Sequence, residues 1–375
     1  MSHAHADAAA LAARRDCGML PDIQNMGERM TGQRSLAELD RWHAGHVEDV
    51  IDPGRRIVDA HHHMWQRPPE AYQLPELMAE LESGHDVRAT VFVQNNAMYR
   101  AGGPEAMKPL GETEYVNGVA AVSASGMFGP QRLCAGIVGH ADLRLGKAVR
   151  PVLEAHRRAS GRFRGIRHQA QWDGELGSMA RIAAPKGLLL DPDFRKGFAE
   201  LGPLGLRFDA WIYFHQLGEL ASLAGAFPET PVILDHLGAP LGVGPYAARR
   251  NEVFDLWAAG IRALAKHSNV SVKLGGLGMP SYGFGFGFET RAAPATSAAL
   301  AEAWRPYVEL VIEAFGANRC MFESNFPVDK VTCSYRTLWN ALKRIAEGTS
   351  EAEKAALFDG TARRVYDLGS EGIEN

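Results

Sequence analysis

Eight short, β-branched runs, each followed by a helical stretch, predict a closed (β/α)8 barrel built as one large domain. Alternating strands and helices imply a parallel sheet. The runs are almost continuously apolar, the pattern of strands buried on both faces. The first strand-to-helix junction carries no G-x-G-x-x-G and no P-loop occurs anywhere, which sets aside a doubly wound nucleotide-binding sheet. The chain has 375 residues, a length that single barrels reach with insertions.

Residues 1–50 are polar, dotted with histidine and weakly patterned, and read as an N-terminal arm before a barrel over 51–370. Within the arm, Ser35-Leu-Ala-Glu offers a capping box that opens a short helix. The predicted strands are Arg56–His61, Ala89–Gln94, Leu133–Gly139, Phe163–His168, Leu206–Phe214, Pro231–Asp235, Asn269–Leu274 and Arg319–Glu323. Helices are predicted over Glu114–Ala124, Ala148–Ala159, Asp193–Glu200, Gln216–Ala226, Phe254–Lys266 and Ala298–Phe315, with Tyr335–Ala346 and Glu351–Tyr366 closing the chain.

Composition narrows the function. Hydrophobic residues are 46% and charged residues 22%, enough for a sizeable core and too apolar for disorder. Lys+Arg at 40 against Asp+Glu at 44 leaves −4, which gives no general attraction to nucleic acid or to an anionic membrane. No apolar run is long enough to span a bilayer, and the first 20 residues lack the basic-then-apolar order of a signal peptide. Cys17, Cys134, Cys320 and Cys333 form no C-x-x-C pair and read as free thiols of a reducing compartment, so a cytoplasmic location is expected. The expected partner is a small-molecule substrate, with the arm a candidate contact between subunits of a homo-oligomer.

In a barrel enzyme the chemistry gathers at the C-terminal ends of the strands. The first strand ends Asp59-Ala60-His61-His62-His63. Side chains alternate along a strand, so His61 and His63 share a side and can reach one ion, while His62 points away. Arg167-His168 end the fourth strand, His215 follows the fifth, Asp235-His236 end the sixth, and the seventh carries Lys273. One such histidine is ordinarily a hydrogen-bonded structural residue. A cluster of neutral imidazoles at one end of a barrel suits a divalent cation such as Zn²⁺, and without an ion would be a costly polar core.

The loops suggest a pocket. After the seventh strand, Tyr282, Phe284, Phe286 and Phe288 alternate with glycine, either as a lid over a flat substrate or as a loop packed on its own barrel or a partner. Asn95 and its neighbours Gln94 and Asn96 offer amides to a polar substrate. Arg167, His168 and Lys273 are candidates for holding substrate oxygens, Arg167 by a two-point fork unless a rim salt bridge occupies it.

The motif V-D-A-H-H-H-M-W (58–65) resembles the amidohydrolase-related, metal-dependent hydrolases of TIM-barrel fold, particularly their sugar-lactonase-like branch. The similarity continues through F-R-G-I-R-H (163–168), V-I-L-D-H-L-G-A-P (232–240), N-V-S-V-K-L-G-G-L (269–277), R-C-M-F-E-S-N-F-P-V-D (319–329) and G-T-A-R-R-V-Y-D-L (360–368), covering residues 55 to 368. The resemblance implies one catalytic ion on His61 and His63, with His215 in the fifth-strand ligand position. It also implies His236 as an acid/base beside the ion.

The eighth strand departs from the family pattern G-S-D-W-P, reading Glu323-Ser324-Asn325-Phe326-Pro327. Asn325 can coordinate or orient water through its carbonyl but cannot accept a proton. Glu323 either supplies the missing carboxylate or pairs with Lys273 or an imidazole inside the barrel. The function expected is hydrolysis of a small carbonyl compound, a lactone or cyclic ester, by a metal-activated water, with His236, Glu323 and Asn325 as catalytic candidates. The alternatives are metal-dependent, non-oxidative decarboxylation of an aromatic or dienoic acid, and a non-catalytic binding protein on a barrel without its strand-8 Asp.

Overall fold

The computed structural model describes residues 35–67, 70–176 and 184–369. Its core is one parallel eight-stranded sheet. The strands are β1 (Arg56–His62), β4 (Asp86–Val93), β5 (Arg132–Gly139), β6 (Phe163–Gln169), β7 (Arg207–Trp211), β8 (Val232–Leu234), β9 (Val270–Leu274) and β10 (Cys320–Phe322), paired in that order. All eight predicted runs are strands of this sheet. The fifth stops at Trp211 rather than Phe214, because the chain turns into a short helix at Phe214–Gln216, where the Gln216 side chain accepts from Tyr213 N–H.

The seam between β1 and β10 is closed just beyond the strands. Asn325 N–H donates to His61 O and His63 N–H to Phe326 O, both at 2.8 Å. Asp59 stitches the same seam, accepting from Ser324 N–H at 2.9 Å, Ser324 Oγ at 2.6 Å and Tyr335 Oη at 3.0 Å. The result is a closed (β/α)8 barrel.

The outer layer is formed by α3 (Leu110–Ala124), α4 (Arg150–Ala159), α5 (Pro192–Phe198), α6 (Leu217–Ala226), α7 (Arg250–Leu264), α8 (Ser297–Phe315) and α9 (Tyr335–Ile345). The last predicted helix is divided: α10 (Glu351–Ala355) and α11 (Thr361–Tyr366) flank one wide turn at Ala356–Gly360. From α11, Ala362, Val365 and Tyr366 plug the barrel floor against Val58, Ala60, Val91, Ile233 and Met321.

Two features were not predicted. A hairpin of β2 (Trp65–Arg67) and β3 (Glu70–Tyr72) is too short to carry a period, and α2 (Leu74–Leu81) follows it with Pro75 in its first turn. The capping box at Ser35 does open a helix, α1 (Leu36–His43), with Ser35 and Glu38 exchanging bonds reciprocally. This part of the arm packs on its own chain. Trp42 Nε1 donates to Ala292 O, its ring meets Phe288 edge-on, and Lys330 pairs with Asp40 and Glu80. The rest of the arm, with Cys17, His3 and His5, lies outside the described residues. Among those described, no helix is long and apolar enough to cross a membrane.

Candidate metal and catalytic site

The site begins with a break in the alternation of β1. Val58 and Ala60 face the barrel interior, and a register irregularity between Asp59 and His62 re-aims the chain so that His61 and His63 face inward too. His62 points out, bonded to Thr90 Oγ1 at 2.8 Å and packed on Phe92. The Nε2 atoms of His61 and His63 face each other at 3.2 Å. His63 Nδ1 is 2.7 Å from Val93 O, a bond that fixes its proton there and leaves Nε2 as a lone pair. Burial pushes both imidazoles well below the ordinary histidine range, helped by Lys273 at His61 and by Arg167 at His63. Both are therefore neutral at pH 7, the form in which imidazole ligates metal.

His236 lies in the left-handed turn after β8, at φ 52°. Its ring is 4.6 Å from that of His61, and Trp211, at the end of β7, meets it edge-on at 4.9 Å. Glu323, wholly buried, joins the two: Oε1 is 2.6 Å from His236 Nδ1 and Oε2 is 3.0 Å from His61 Nδ1. Ligand atoms of His61, His236 and Glu323 all lie within 4.8 Å of one another. Room for them comes from two glycines after β9. A Cβ on Gly275 would sit 2.3 Å from Glu323 Cγ, and one on Gly276 would sit 2.5 Å from His236 Nδ1.

Beneath this layer Lys273 Nζ is held by Asp209 at 2.6 Å and Asp235 at 3.1 Å, with Tyr366 Oη donating to Asp209 at 2.6 Å. Burial alone would strip the charge from Lys273, but Asp209, Asp235 and Glu323 outweigh it and hold its pKa up. Asp235 is likewise pushed up by burial, yet Lys273, His236 and Arg167 bring it below the ordinary carboxylate range.

Arg167 reaches in from β6. Its guanidinium donates to Gln94 O and lies 3.4 Å from His61 Nε2 and 3.7 Å from Asp235. Asn325, at φ 54°, donates Nδ2 to Asp329 at 2.8 Å, and Asp329 also accepts from Gly278 N–H.

The structure thus brings together His61, His63, His236, Glu323, Arg167 and Lys273, with Asn325 beside them. Four predicted residues fall elsewhere. His215 stands on the turn after β7, its Nε2 2.8 Å from Trp172 O, so the short strand leaves Trp211 in the position expected of a ligand. His168 points into the helical layer against Phe194, on the face opposite Arg167. Asn95 is consumed by Arg67, Met64 O and Glu112. Tyr282 is buried, its hydroxyl bonded to His236 O, so it braces the turn instead of facing a ligand. Lys273, too, is spoken for by two carboxylates in a fully buried layer and is not available to substrate oxygens. The aromatic loop packs on its own barrel: Phe284 on Tyr307 and Arg250, Phe288 on Trp42. Sequence reasoning missed Asp209, Trp211 and Asp329 as parts of the site. Of these Asp209 carried a signal, a carboxylate inside an otherwise apolar strand.

Whether an ion suits this nest is decided by its donors. Two neutral imidazole nitrogens face one point, the buried Glu323 Oε2 has no hydrogen bond among the described residues, and Asp235 is held by ion pairs to Lys273 at 3.1 Å and Arg167 at 3.7 Å. Such nitrogen and oxygen donors suit zinc or a similar divalent cation.

The amidohydrolase family model matches residues 58–368, and the chain belongs to that family. It is 32% identical over 324 residues to the uncharacterised protein y4mH of Sinorhizobium fredii, covering 83% of this chain and 98% of that one. It is 26% identical to an L-fucono-1,5-lactonase of Burkholderia multivorans, covering 84% and 97%. An amidohydrolase structure from Burkholderia multivorans with bound zinc superposes with a TM-score of 0.63 at 25% identity, covering 84% of this chain and 99% of the other.

Proposed function

We propose that the protein is a metal-assisted hydrolase of a small lactone or related cyclic ester. The observation that carries this is the pair of neutral imidazoles, His61 and His63, whose Nε2 atoms converge at the C-terminal mouth of the barrel beside His236 and Glu323. The lactonase relative and the zinc-bearing structure support it.

His61 and His63 would hold the ion, with His236 and Glu323 adjacent. When bound, a divalent cation polarises a carbonyl and makes water a better nucleophile at neutral pH. The chain's own groups supply the rest. His236 Nδ1–H donates to Glu323, so its Nε2 is free to take a proton from the attacking water, and the carboxylate behind it stabilises the imidazolium formed. The same nitrogen returns the proton to the leaving alkoxide oxygen as the ring opens. Arg167 is placed to stabilise negative charge on the carbonyl oxygen, and Asn325 orients water or substrate through its carbonyl. The three described cysteines are unpaired and buried, which supports a cytoplasmic setting.

The test is the metal content of protein purified without chelator, then zinc titration and a panel of sugar lactones followed by proton release. About one equivalent of zinc with lactone opening, both lost in His61→Ala/His63→Ala, is expected. No zinc uptake would remove the ion. Carbon dioxide release from aromatic acids without lactone opening would move the chemistry to decarboxylation, and ligand binding without turnover would leave a binding protein.

A further inference from the structure

His61 Nδ1 has neighbours of opposite character, Lys273 on one side and two carboxylates, Glu323 and, at 3.7 Å, Asp235, on the other. Lys273 Nζ lies 3.2 Å away and can only donate; Glu323 Oε2 lies 3.0 Å away and, as a carboxylate, can only accept. One ring nitrogen cannot serve both.

If Nδ1 accepts from Lys273, the ring proton of His61 sits on Nε2 and points at His63 Nε2, 3.2 Å off, whose ring has its own proton on Val93 O. The relay Lys273, His61, His63, Val93 then uses up both facing nitrogens, and Arg167 Nη1, 3.4 Å from His61 Nε2, is left to its bond with Gln94 O and its pairing with Asp235. If Nδ1 instead carries the proton toward Glu323, both Nε2 atoms present lone pairs to one point. Lys273 keeps Asp209 and Asp235 in either case. Glu323 can serve His236 through Oε1 and His61 through Oε2 because a carboxylate accepts on both oxygens.

We propose that Glu323 and Lys273 form a tautomer selector for His61, Lys273 closing the imidazole pair and Glu323 opening it as a cation site. Both are positioning residues: neither needs to touch substrate. Glu323 stands where the family pattern has glycine, and Gly275 and Gly276 make the space it occupies. The inference rests on the proposed ion, and the test separates the two.

The test uses Glu323→Gln, which is nearly isosteric. An amide accepts on one side only; with its oxygen kept on the shorter, 2.6 Å contact to His236 Nδ1, its N–H₂ faces His61 Nδ1 and puts the His61 proton on Nε2. Zinc affinity is expected to fall 10- to 100-fold, the range for losing a group that orients a metal ligand, while the melting temperature of the ion-free protein stays close to wild type. Nitrogen-15 spectra of histidine-labelled protein, with His61 assigned through His61→Asn, give the second readout. Ion-free wild type should carry the His61 proton on Nε2, and zinc should move it to Nδ1. Wild-type zinc affinity in Glu323→Gln, or a proton on His61 Nδ1 in the ion-free wild type, overturns the selector. Wild type that takes up no zinc overturns the ion instead, and the ion-free spectrum still decides the tautomer.

Discussion

Asn325 and Asp329 form a buried amide–carboxylate pair at the mouth of the barrel, Nδ2 to Oδ1 at 2.8 Å. An ionised carboxylate cannot donate, so the bond fixes which end of the Asn325 amide faces it and leaves the carbonyl as the remaining acceptor. Burial pushes the Asp329 carboxyl up to about 7. A second carboxylate at 325 would face the first across the same gap. Asn325→Asp should therefore cost about 2–4 kcal/mol at pH 8, from like charges that both resist burial. The exchange Asn325→Asp/Asp329→Asn should recover most of it. Urea denaturation of wild type, Asn325→Asp, Asp329→Asn and the double variant checks this, and strictly additive effects would show that the pair is not coupled.

Asp59 should be the most costly single carboxylate to remove from the seam. Its oxygens accept from Ser324 N–H, Ser324 Oγ and Tyr335 Oη across the join between first and last strands. Asp59→Ala strands these buried donors, at about 1–3 kcal/mol each before relaxation. A loss of roughly 3–5 kcal/mol is expected, with protease cleavage appearing first in the loops after β1 and β10. A loss below about 1 kcal/mol would mean that water satisfies the donors instead.

Much of this was legible because the barrel is built from local signals. Each strand announces itself as an apolar run, and period-two alternation groups His61 with His63 and sets His62 apart, although the irregularity after Asp59 is what turns the pair inward. The same rule separates Arg167 from His168, and naming both as substrate contacts ignored it. His215 failed for another reason: the apolar run continues to Phe214, but hydrogen bonding to Gln216 ends the strand at Trp211. Asn95 and Tyr282 are polar groups near strand ends, yet their partners, Arg67 and the His236 carbonyl, lie 28 and 46 residues away in sequence. No spacing reveals that such a group is already occupied. Glu323 was legible as a misplaced carboxylate with an imidazole among its expected partners, whereas the choice of His61 and His236 came only from the closed barrel.

The glycines after β9 should tolerate no side chain. A Cβ at 275 would meet both the side chain and the carbonyl of Glu323, at 2.3 and 2.6 Å, and Gly276 adds a φ of +67°. Gly275→Ala and Gly276→Ala should each cost about 2–4 kcal/mol by overpacking and backbone strain and should weaken zinc binding. Gly102→Ala, with nothing within 4 Å of the added carbon, is the control. Equal melting temperatures for all three variants would contradict the packing described here.

Glu112 should make stability depend on pH. Its carboxyl is buried at the end of β4, where Oε1 accepts from Asn95 N–H and Ala97 N–H, each at 3.0 Å, while Oε2 has no hydrogen bond among the described residues. Burial is the largest influence and lifts its pKa from 4.5 to about 7, against the pull of the two backbone donors, Arg67 and Arg167. Below about pH 4.5 the group is protonated folded and unfolded, and its ionisation costs nothing. Between there and about 7 the unfolded chain has lost the proton that the folded chain keeps, so the folded state binds more protons and stability falls as pH rises. At roughly 1.4 kcal/mol per pH unit the loss is about 3 kcal/mol once pH exceeds 7. Glu112→Gln keeps an acceptor for the two backbone donors and removes the titration. Denaturation of both proteins at pH 5 and pH 8 should therefore show wild type losing about 2.5 kcal/mol relative to the variant. Parallel pH profiles would mean that Arg67 and Arg167 keep Glu112 ionised throughout.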